Sequence, residues 1–358
     1  MARILDRVSD LRVAIIGYGL AGRFFHAPLI AATEGLRVAA VVTSDPARRS
    51  QVAREHPEAQ VLRSPEDLWA TAGHDLVVIA APSDAHVRLA TEAVGRGLAV
   101  VVDKPLAVSA AEAQSLVSRA ERAGVLLTVF QNRRWDSDHL TLASVLAEDG
   151  LGSVMRYESR LERWRPQPSA EAWREASSSH QGGGVLLDLG SHLVDQALVL
   201  FGAPTHVYAE VDARRGTPGD DDAFIALRHA GGVISHLRGS AVTAAPGPRL
   251  RVLGDRAAFV CPEPDSQEDR LRTGARPDDA NSWGVEPEAR WGRLITGDSS
   301  VPVPSQRGDW PRFYALLRAS LIAGDPPPVD PQDAVRTLRV LELARQSATE
   351  RAVIPVAA

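Results

Sequence analysis

A lysine and an aspartate stand at the end of a segment with the pattern of a buried strand. Residues 98–105 read LAVVVDKP, so that an apolar run leads into Asp103, Lys104 and Pro105. Burying polar groups at the end of a core strand costs solvation free energy unless a partner or a ligand binds them. An amine that is partly shielded from water and close to another positive charge has a lowered pKa. In such a place Lys104 would be able to exchange a proton with a substrate hydroxyl. The alternative is a surface ion pair between Asp103 and Lys104 at a helix start.

A second candidate pair lies in residues 182–202, GGGVLLDLGSHLVDQALVLFG, which become amphipathic after three glycines. In a helix, Asp188 and His192 are four positions apart and share a face. A histidine beside a carboxylate is a common general acid–base arrangement, because its pKa is close to neutrality. The alternative is a core histidine paired with a nearby acid. No third ligand and no H-E-x-x-H motif accompany the pair, so we expect no metal site.

A glycine-rich turn, GYGLAG (17–22), lies between an apolar strand and a helical pattern. In this context the motif G-x-G-x-x-G predicts a dinucleotide site. Gly17 makes the tight turn, Gly19 lets the backbone approach a pyrophosphate, and Gly22 allows close helix–strand packing. Leu20 and Ala21 open the helix, whose N-terminus favours anions through its free N–H groups and its dipole. We therefore expect these residues to hold a dinucleotide cofactor.

The end of the second strand indicates which dinucleotide is bound. An Asp or Glu about twenty residues after the glycine motif binds the ribose 2′-hydroxyl of NAD. Here Thr43 occupies that place, Ser44 follows it, and Arg48 lies shortly after. Small hydroxyls and arginine suit a 2′-phosphate, so NADP is favoured over NAD. The alternatives are that Ser44 or Asp45 only caps the next helix, and that Asp45 turns inward to serve NAD.

These side chains have to be positioned by a parallel sheet. Continuous apolar runs, separated by helical patterns, are typical of parallel strands buried on both faces, and they occur at residues 11–17, 36–42, 75–82, 98–105 and 125–130. The alternation predicts a doubly wound parallel sheet, a Rossmann domain, over residues 1–128. Ligands of such sheets lie at the carboxyl ends of the strands. Further cofactor-binding candidates are therefore Pro82, Ser83, His86, Asp103 and Lys104.

The order of these motifs resembles the glucose–fructose oxidoreductase/inositol dehydrogenase/MocA (Gfo/Idh/MocA) family. The shared order is Gly-x-Gly-x-x-Gly, (Glu/Asp)-Lys-Pro and Gly-Gly-x-Leu-x-Asp-x-Gly-x-His, and the resemblance covers nearly the whole chain. The sequence is most similar to a branch that resembles NADP-dependent scyllo-inositol dehydrogenases, with HAPLI (26–30), QNRRWDSD (131–138), RWRP (163–166), GPR (247–249) and QEDRLRTG (267–274) as further motifs. One difference is Asp103, where the family usually has glutamate; a shorter carboxylate changes the contact with the cofactor ribose.

The resemblance implies a second α/β domain, residues 129–358, built on a large, mostly antiparallel open sheet. Strand patterns between residues 153 and 261 fit this sheet, with a hairpin turn at 231–232. Helices are expected near 309–323 and 331–350, and the last of them should pack back on the first domain. Residues 262–308 lack periodicity, so we predict an ordered loop that buries Trp283 and Trp291.

The resemblance also implies what the polar residues do. Lys104, Asp188 and His192 would face the nicotinamide and catalyse hydride transfer from a ring carbon of a polyol or sugar. His192 would take the hydroxyl proton and Lys104 would stabilise the developing carbonyl. Asp188 would orient His192 or bind a neighbouring hydroxyl.

Residues on the substrate side are implied in the same way. Asn132 and Arg133 resemble substrate-lining residues. Arg163, Arg165 and Trp173 are further candidates, although arginines also pack on aromatic rings or hold domain interfaces. The family further implies a homodimer or homotetramer that forms through the exposed face of the large sheet.

Composition excludes several other classes of protein. The chain has 358 residues, of which 44% are hydrophobic and 24% charged, and this length and composition fit a two-domain globular protein. Its net charge of -5 disfavours a nucleic-acid partner. The single cysteine, Cys261, excludes an internal disulfide and fits a reducing compartment. No apolar run reaches the ~20 residues that span a membrane, and the first residues, MARILDRVSD, lack a signal-peptide core. We expect a cytoplasmic protein.

Two other functions use the same fold. A dinucleotide-binding sensor or regulator would keep the glycine turn but is expected to lack the lysine or the histidine. A redox-neutral glycosidase would keep its NAD bound and recycle it. Net formation of NADPH from a free polyol would argue against both.

Overall fold

The first sheet is parallel and carries the glycine turn near its centre. The computed structural model describes residues 10–168, 173–277 and 282–356. The first six strands are β1 (Leu11–Ile16), β2 (Leu36–Val42), β3 (Gln60–Leu62), β4 (Leu76–Ile79), β5 (Ala99–Asp103) and β6 (Leu127–Phe130). They lie in the order β3-β2-β1-β4-β5-β6, and every pair is parallel. The strand order reverses between β1 and β4, which is where such sheets open a crevice for a ligand.

Helices connect these strands. They are α1 (Ala27–Ala31), α2 (Pro46–Glu55), α3 (Pro65–Trp69), α4 (His86–Gly95) and α5 (Ala110–Ala123), and a π-helical turn, Ala21–His26, leads into α1. Strands β4 and β5 are buried along their whole length. Burial on both faces explains why these strands are continuous apolar runs without polar alternation.

The second sheet is larger and mostly antiparallel. Its strands are β7 (Val154–Glu162), β8 (Pro204–Asp212), β9 (Asp222–His229), β10 (Ile234–Ser240), β11 (Leu250–Gly254), β12 (Ala258–Cys261), β13 (Gly292–Thr296), β14 (Ser299–Val303) and β15 (Ile354–Pro355). Their order is β14-β13-β12-β11-β7-β10-β9-β8-β15. Strands β7 and β10 pair in parallel, and the other neighbours are antiparallel. The predicted fold class, a doubly wound parallel sheet followed by a large open sheet, is confirmed.

The helices of the second half link the two sheets. They are α6 (Ser137–Ala147), α7 (Trp173–Ala176), α8 (Val185–Asp188), α9 (Gly190–Phe201), α10 (Gln267–Arg272), α11 (Pro311–Ala323) and α12 (Pro331–Glu350). Helix α9 packs on β7 and β10, while α12 packs on β8 and α9 and also on α5 and β6. One apolar core therefore runs from β4 and β5, through α12, to β7 and β10. No helix of the described ranges is long and apolar enough to cross a bilayer.

The structure differs from the sequence-based expectation in residues 262–308. This segment, predicted as a loop, contains α10 and the hairpin of β13 and β14, which extends the sheet at one edge. The hairpin is weakly patterned because β14 is exposed over most of its length, so its sequence has no apolar face. Trp283 is buried and Trp291 is half-buried. Their indole N–H groups donate to Gln267 and to the Glu286 carbonyl.

Candidate active site

A cavity of about 780 Å³ opens at the carboxyl ends of β1, β2 and β4 and reaches the second sheet. On the first side, the glycine turn contributes Gly17, Gly19, Leu20 and Ala21 to its wall. On the other side, α8 and the segment after β7 contribute side chains from the second half of the chain. Segments far apart in the sequence therefore meet at one cavity, as the carboxyl-end rule predicts.

The three glycines of the turn have different roles. Gly17 has a φ of +99°, and a Cβ there would collide with the Ala80 carbonyl oxygen at the end of β4. A Cβ on Gly22 would collide with the carbonyl oxygen of Gly17, so Gly22 lets the helix approach the strand and does not line the cavity. A Cβ on Gly19 would meet nothing closer than Nη1 of Arg48 at 3.8 Å. The space beside Gly19 is open, as close approach of a pyrophosphate requires.

The cavity continues to the residues predicted to select the cofactor. Thr43 is buried in its wall, while Ser44 and Arg48 line it from exposed positions. The carboxylate of Asp45 accepts hydrogen bonds from the backbone N–H groups of Ala47 and Arg48 and caps α2. Asp45 therefore caps the helix, and its Oδ2 also lies 3.5 Å from Nε of Arg48, which lines the cavity.

Arg63 and Ser64 also line this end of the cavity, although they were not singled out from the sequence. They follow β3, whose three residues are too few to give a clear strand pattern. Because β3 pairs with β2, its end lies beside that of β2. A clear assignment of this strand would have pointed to Arg63.

Some of the predicted residues at the ends of β4 and β5 line the cavity, and the others are buried beside it. Pro82 and Asp103 line the cavity, whereas Ser83 and His86 are buried beside it. The His86 ring lies between two backbone carbonyls, with Nε2 at 2.9 Å from the Ala81 oxygen and Nδ1 at 2.8 Å from the Pro105 oxygen. His86 therefore ties the ends of the two strands together, and its contact with the cofactor stays a prediction.

Asp103 is supported from the side opposite the cavity. Its Oδ1 lies 3.7 Å from Nε2 of His26, and Nδ1 of His26 lies 2.6 Å from the Tyr314 hydroxyl. Both rings are buried. Burial raises the pKa of Tyr314 well above its usual value, and the charge of Asp103 raises it further. The HAPLI segment, through His26, and α11, through Tyr314, thus support the Asp103 carboxylate, which replaces the family's glutamate.

Lys104 joins the two halves of the site. Its Nζ donates to Oδ1 of Asp188 at 2.6 Å and to the Asp188 carbonyl at 2.8 Å. The lysine side chain is 11% exposed and the aspartate side chain 26% exposed. Asp188 lines the cavity, whereas Lys104 is reached through its contact with Asp188 and is not itself part of the lining. Of the 40 lysine and arginine residues in the chain, Lys104 is the only lysine. An ammonium gives up its proton far more readily than a guanidinium, which suits a group that exchanges protons.

His192 lies one helical turn beyond Asp188 and is 6% exposed. Burial lowers the pKa of His192 well below its usual 6.5, and the charges of Lys104, Arg133 and Arg249 lower it further, against an opposite effect from Asp188. Its Nδ1 has no hydrogen-bond partner in the described part of the chain. A neutral imidazole is able to accept a proton from a hydroxyl that reaches it, but in this structure His192 does not itself line the cavity.

The four predicted substrate-side residues separate into two groups. Arg163 and Arg165 line the cavity; Nη2 of Arg163 lies 4.0 Å from Oε1 of Glu268. Asn132 and Arg133 are buried and do not line it. The Arg133 guanidinium pairs with Asp136 at 3.1 Å and with Glu268 at 2.5 Å. Arg133 therefore holds Glu268, which lines the cavity, and its contact with a substrate stays a prediction. The side chain of Trp173, a further candidate, lies outside the described residues.

Glu268 is a cavity residue that we did not select from the sequence. Its carboxylate is shared by Arg133 and by Arg272, with the Arg163 guanidinium at 4.0 Å. Burial acts to raise the pKa of Glu268, but the three arginines together hold it below its ordinary value. The QEDRLRTG motif contains Glu268, but nothing in the local sequence shows that this carboxylate reaches the cavity.

Family models match both halves of the chain. The model described as "Oxidoreductase family, NAD-binding Rossmann fold" matches residues 11–131, and "Oxidoreductase family, C-terminal alpha/beta domain" matches residues 143–357. The chain belongs to the Gfo/Idh/MocA oxidoreductase family, and its first domain is a Rossmann domain for a nicotinamide dinucleotide.

Relatives match over nearly the full length. The chain is 33% identical to scyllo-inositol 2-dehydrogenase (NADP(+)) IolW of Bacillus subtilis, over 97% of this chain and 96% of that protein. It is 36% identical to the oxidoreductase YdgJ of Escherichia coli, over 98% and 99% of the two chains. The solved structure of yvaA from Bacillus subtilis superposes with a TM-score of 0.92 at 32% identity, over 99% of this chain and 100% of that one. An inositol dehydrogenase is thus among its relatives.

Proposed function

We propose that this protein is an NADP-dependent dehydrogenase that oxidises a ring hydroxyl of a polyol or sugar, or reduces the matching ketone. The observation that carries the proposal is the pair of Lys104 and Asp188. Asp188 lines the cavity that begins at the glycine turn, and Nζ of Lys104 lies 2.6 Å from its Oδ1, while His192 is buried one helical turn beyond Asp188. A relative that acts on scyllo-inositol makes an inositol-like ring the first substrate class to test.

The residues of the cavity fit a dinucleotide. The open space beside Gly19 would receive the pyrophosphate at the start of the helix. Asp103, at the end of β5, would bind a ribose hydroxyl. Thr43, Ser44 and Arg48 would hold the 2′-phosphate, with Arg63 as a second cation at the same end. Asp45 caps α2 and also lies 3.5 Å from the Arg48 guanidinium, so Arg48 would share its charge between this carboxylate and the phosphate.

The chain's own residues handle the proton and the oxygen of the reacting group. When bound, the oxidised nicotinamide supplies the acceptor for the hydride. His192, neutral because of its lowered pKa, takes the hydroxyl proton. Lys104 donates a hydrogen bond to the same oxygen and stabilises the negative charge that develops on it. Asp188 holds the Lys104 ammonium in place, a role that the sequence did not suggest, since Asp188 was expected to act on His192 or the substrate.

A panel of inositols, aldoses and sugar acids with NADP+ and with NAD+, followed at 340 nm, tests the proposal. We expect NADPH to form with at least one cyclic polyol or sugar, with kcat/KM at least tenfold higher for NADP+ than for NAD+. His192→Ala serves as the matched inactive variant, because general-base catalysis is worth roughly 10²–10⁴ in rate. Tightly held cofactor that cycles without net NADPH would favour the redox-neutral glycosidase, and absence of any turnover would favour the sensor.

We further propose that the protein forms a homodimer or homotetramer through the open face of the second sheet. Trp164, which follows β7 and pairs with Val242, is 57% exposed and is the large apolar side chain that we would expect at this contact. Light scattering should give a mass of two or four chains, and Trp164→Glu should shift it toward the monomer; a monomeric wild type would contradict this assembly.

A further inference from the structure

Gln196 lies one helical turn beyond His192 on α9 and is 1% exposed. Both ends of its amide are engaged. Nε2 donates to the Arg133 carbonyl at 2.7 Å, and Oε1 accepts from Nη2 of Arg249 at 2.8 Å. Residues four apart on a helix share a face, so the group that fixes Gln196 also fixes the side of α9 that presents His192.

The Arg249 end of this link is anchored in the core. Arg249 is 2% exposed; its Nη1 donates to Oγ of Ser159 in β7 at 2.5 Å, and its Nε lies 2.7 Å from Oδ2 of Asp138 in α6. One guanidinium therefore ties α9, α6 and β7 together. A fork of N–H donors in fixed geometry gives this link a defined orientation.

The Arg133 end leads to the cavity wall. The residue whose carbonyl accepts from Gln196 is the residue whose guanidinium holds Glu268. Gln196 thus couples the helix of His192 to a carboxylate on the substrate side of the cavity.

His192 needs this support because its own ring is weakly fixed. Nδ1 has no hydrogen-bond partner among the described residues, whereas in many catalytic histidines that nitrogen is held by a carboxylate or a carbonyl. We propose that Gln196, clamped between the Arg133 carbonyl and Arg249, is the positioning residue that sets the place and orientation of His192. The inference rests on the base role of His192 in the proposed function.

The surroundings of His192 give this role a signature of its own. The charged groups that act on the imidazole are Lys104 after β5, Arg133 after β6, Asp188 on α8 and Arg249 before β11. If the clamp on α9 is released, the ring moves relative to these cations and toward solvent. The pKa of His192 should then rise toward its ordinary value. A merely structural glutamine would leave that titration unchanged.

Gln196→Met, which keeps the length of the side chain and removes both hydrogen bonds, tests the proposal. The His192 ring is followed by NMR titration of the cofactor-free and NADP+-bound protein and is assigned by comparison with His192→Gln. We expect its pKa to rise by at least one unit and kcat, with scyllo-inositol and NADP+, to fall at least tenfold, while KM and the NADP+ dissociation constant stay within threefold. Gln346→Met makes the same chemical change at an exposed position of α12 and should leave both readouts unchanged.

Arg249→Lys keeps the positive charge beside Asp138 and loses the fork that reaches Gln196. It should reproduce the effect of Gln196→Met, and the double variant should be no worse than either single one, because both remove the same link. If Gln196→Met does not fold, Arg249→Lys alone tests the proposal. A wild-type His192 titration in whichever variants fold would overturn the positioning role. The titration needs no turnover, so a failure of the dehydrogenase proposal in the substrate panel is distinguishable from a failure of this one.

Discussion

Replacing Lys104 with methionine removes the ammonium and keeps most of the side-chain volume. In the structure this ammonium holds the Asp188 carboxylate at 2.6 Å, and it is the largest charge effect on the pKa of His192. Loss of one donor to a developing oxyanion costs about 2.7–4 kcal/mol, or 10²–10³ in kcat. We therefore expect kcat to fall by roughly that factor, while the NADP+ dissociation constant, measured by fluorescence titration, stays within threefold because the glycine turn is untouched.

The same variant should also move the pH profile. Lys104 lowers the pKa of His192, so its removal raises that pKa, and the acid limb of kcat/KM should move to higher pH. Lys104→Arg separates the two effects: it keeps the positive charge and therefore the position of the limb, but the wider guanidinium should not restore kcat. If Lys104→Met retains kcat within threefold, or loses cofactor binding instead, the assignment of Lys104 to the reacting oxygen is wrong.

Three further outcomes are expected. Thr43→Asp places a carboxylate at the proposed 2′-phosphate site and should lower the NADP+/NAD+ ratio of kcat/KM at least tenfold; Thr43→Ser is the control, and an unchanged ratio would place that site elsewhere. Gly19→Ala should weaken NADP+ binding at least tenfold with little change in Tm, since the space beside Gly19 is open. Gly22→Ala should lower Tm, because the added Cβ would collide with the Gly17 carbonyl. Equal losses of Tm in the two variants would contradict these separate roles. In the wild type, the acid limb of polyol oxidation should lie below pH 6.5, because the pKa of His192 is lowered and its neutral form persists as pH falls; a limb above pH 6.5 would argue against His192 as the base.

The first sheet was predictable because its strands are buried on both faces. Val100–Val102 in β5 show no exposure, so selection for burial leaves a continuous apolar run in the sequence. Strands β3 and β15 have three and two residues, too few for a pattern, and the exposed strand β14 has no apolar face. Those strands depend on pairing with a neighbouring strand, which the local sequence pattern does not predict.

Candidate residues for the site could be named from the sequence, but the side-chain contacts between them could not. The carboxyl-end rule brings Lys104 and the glycine turn together without any knowledge of side-chain contacts. The partner of Asp188 was not predictable, because a helical spacing of four suggests a contact with His192, whereas its carboxylate contacts a residue 84 positions away. The roles of Arg133 and His86 likewise depend on long-range partners, Glu268 and the carbonyls of Ala81 and Pro105.

A structure of the complex with NADPH and scyllo-inositol, or with the best polyol of the substrate panel, tests the central claim most directly. Reduced cofactor and alcohol cannot react, so the complex is stable. We predict that Nζ of Lys104 and a ring nitrogen of His192 both lie within about 3.2 Å of one hydroxyl oxygen, whose carbon faces the nicotinamide. A polyol that contacts Lys104 and His192 through different hydroxyls, or that lies away from the nicotinamide ring, would contradict the account.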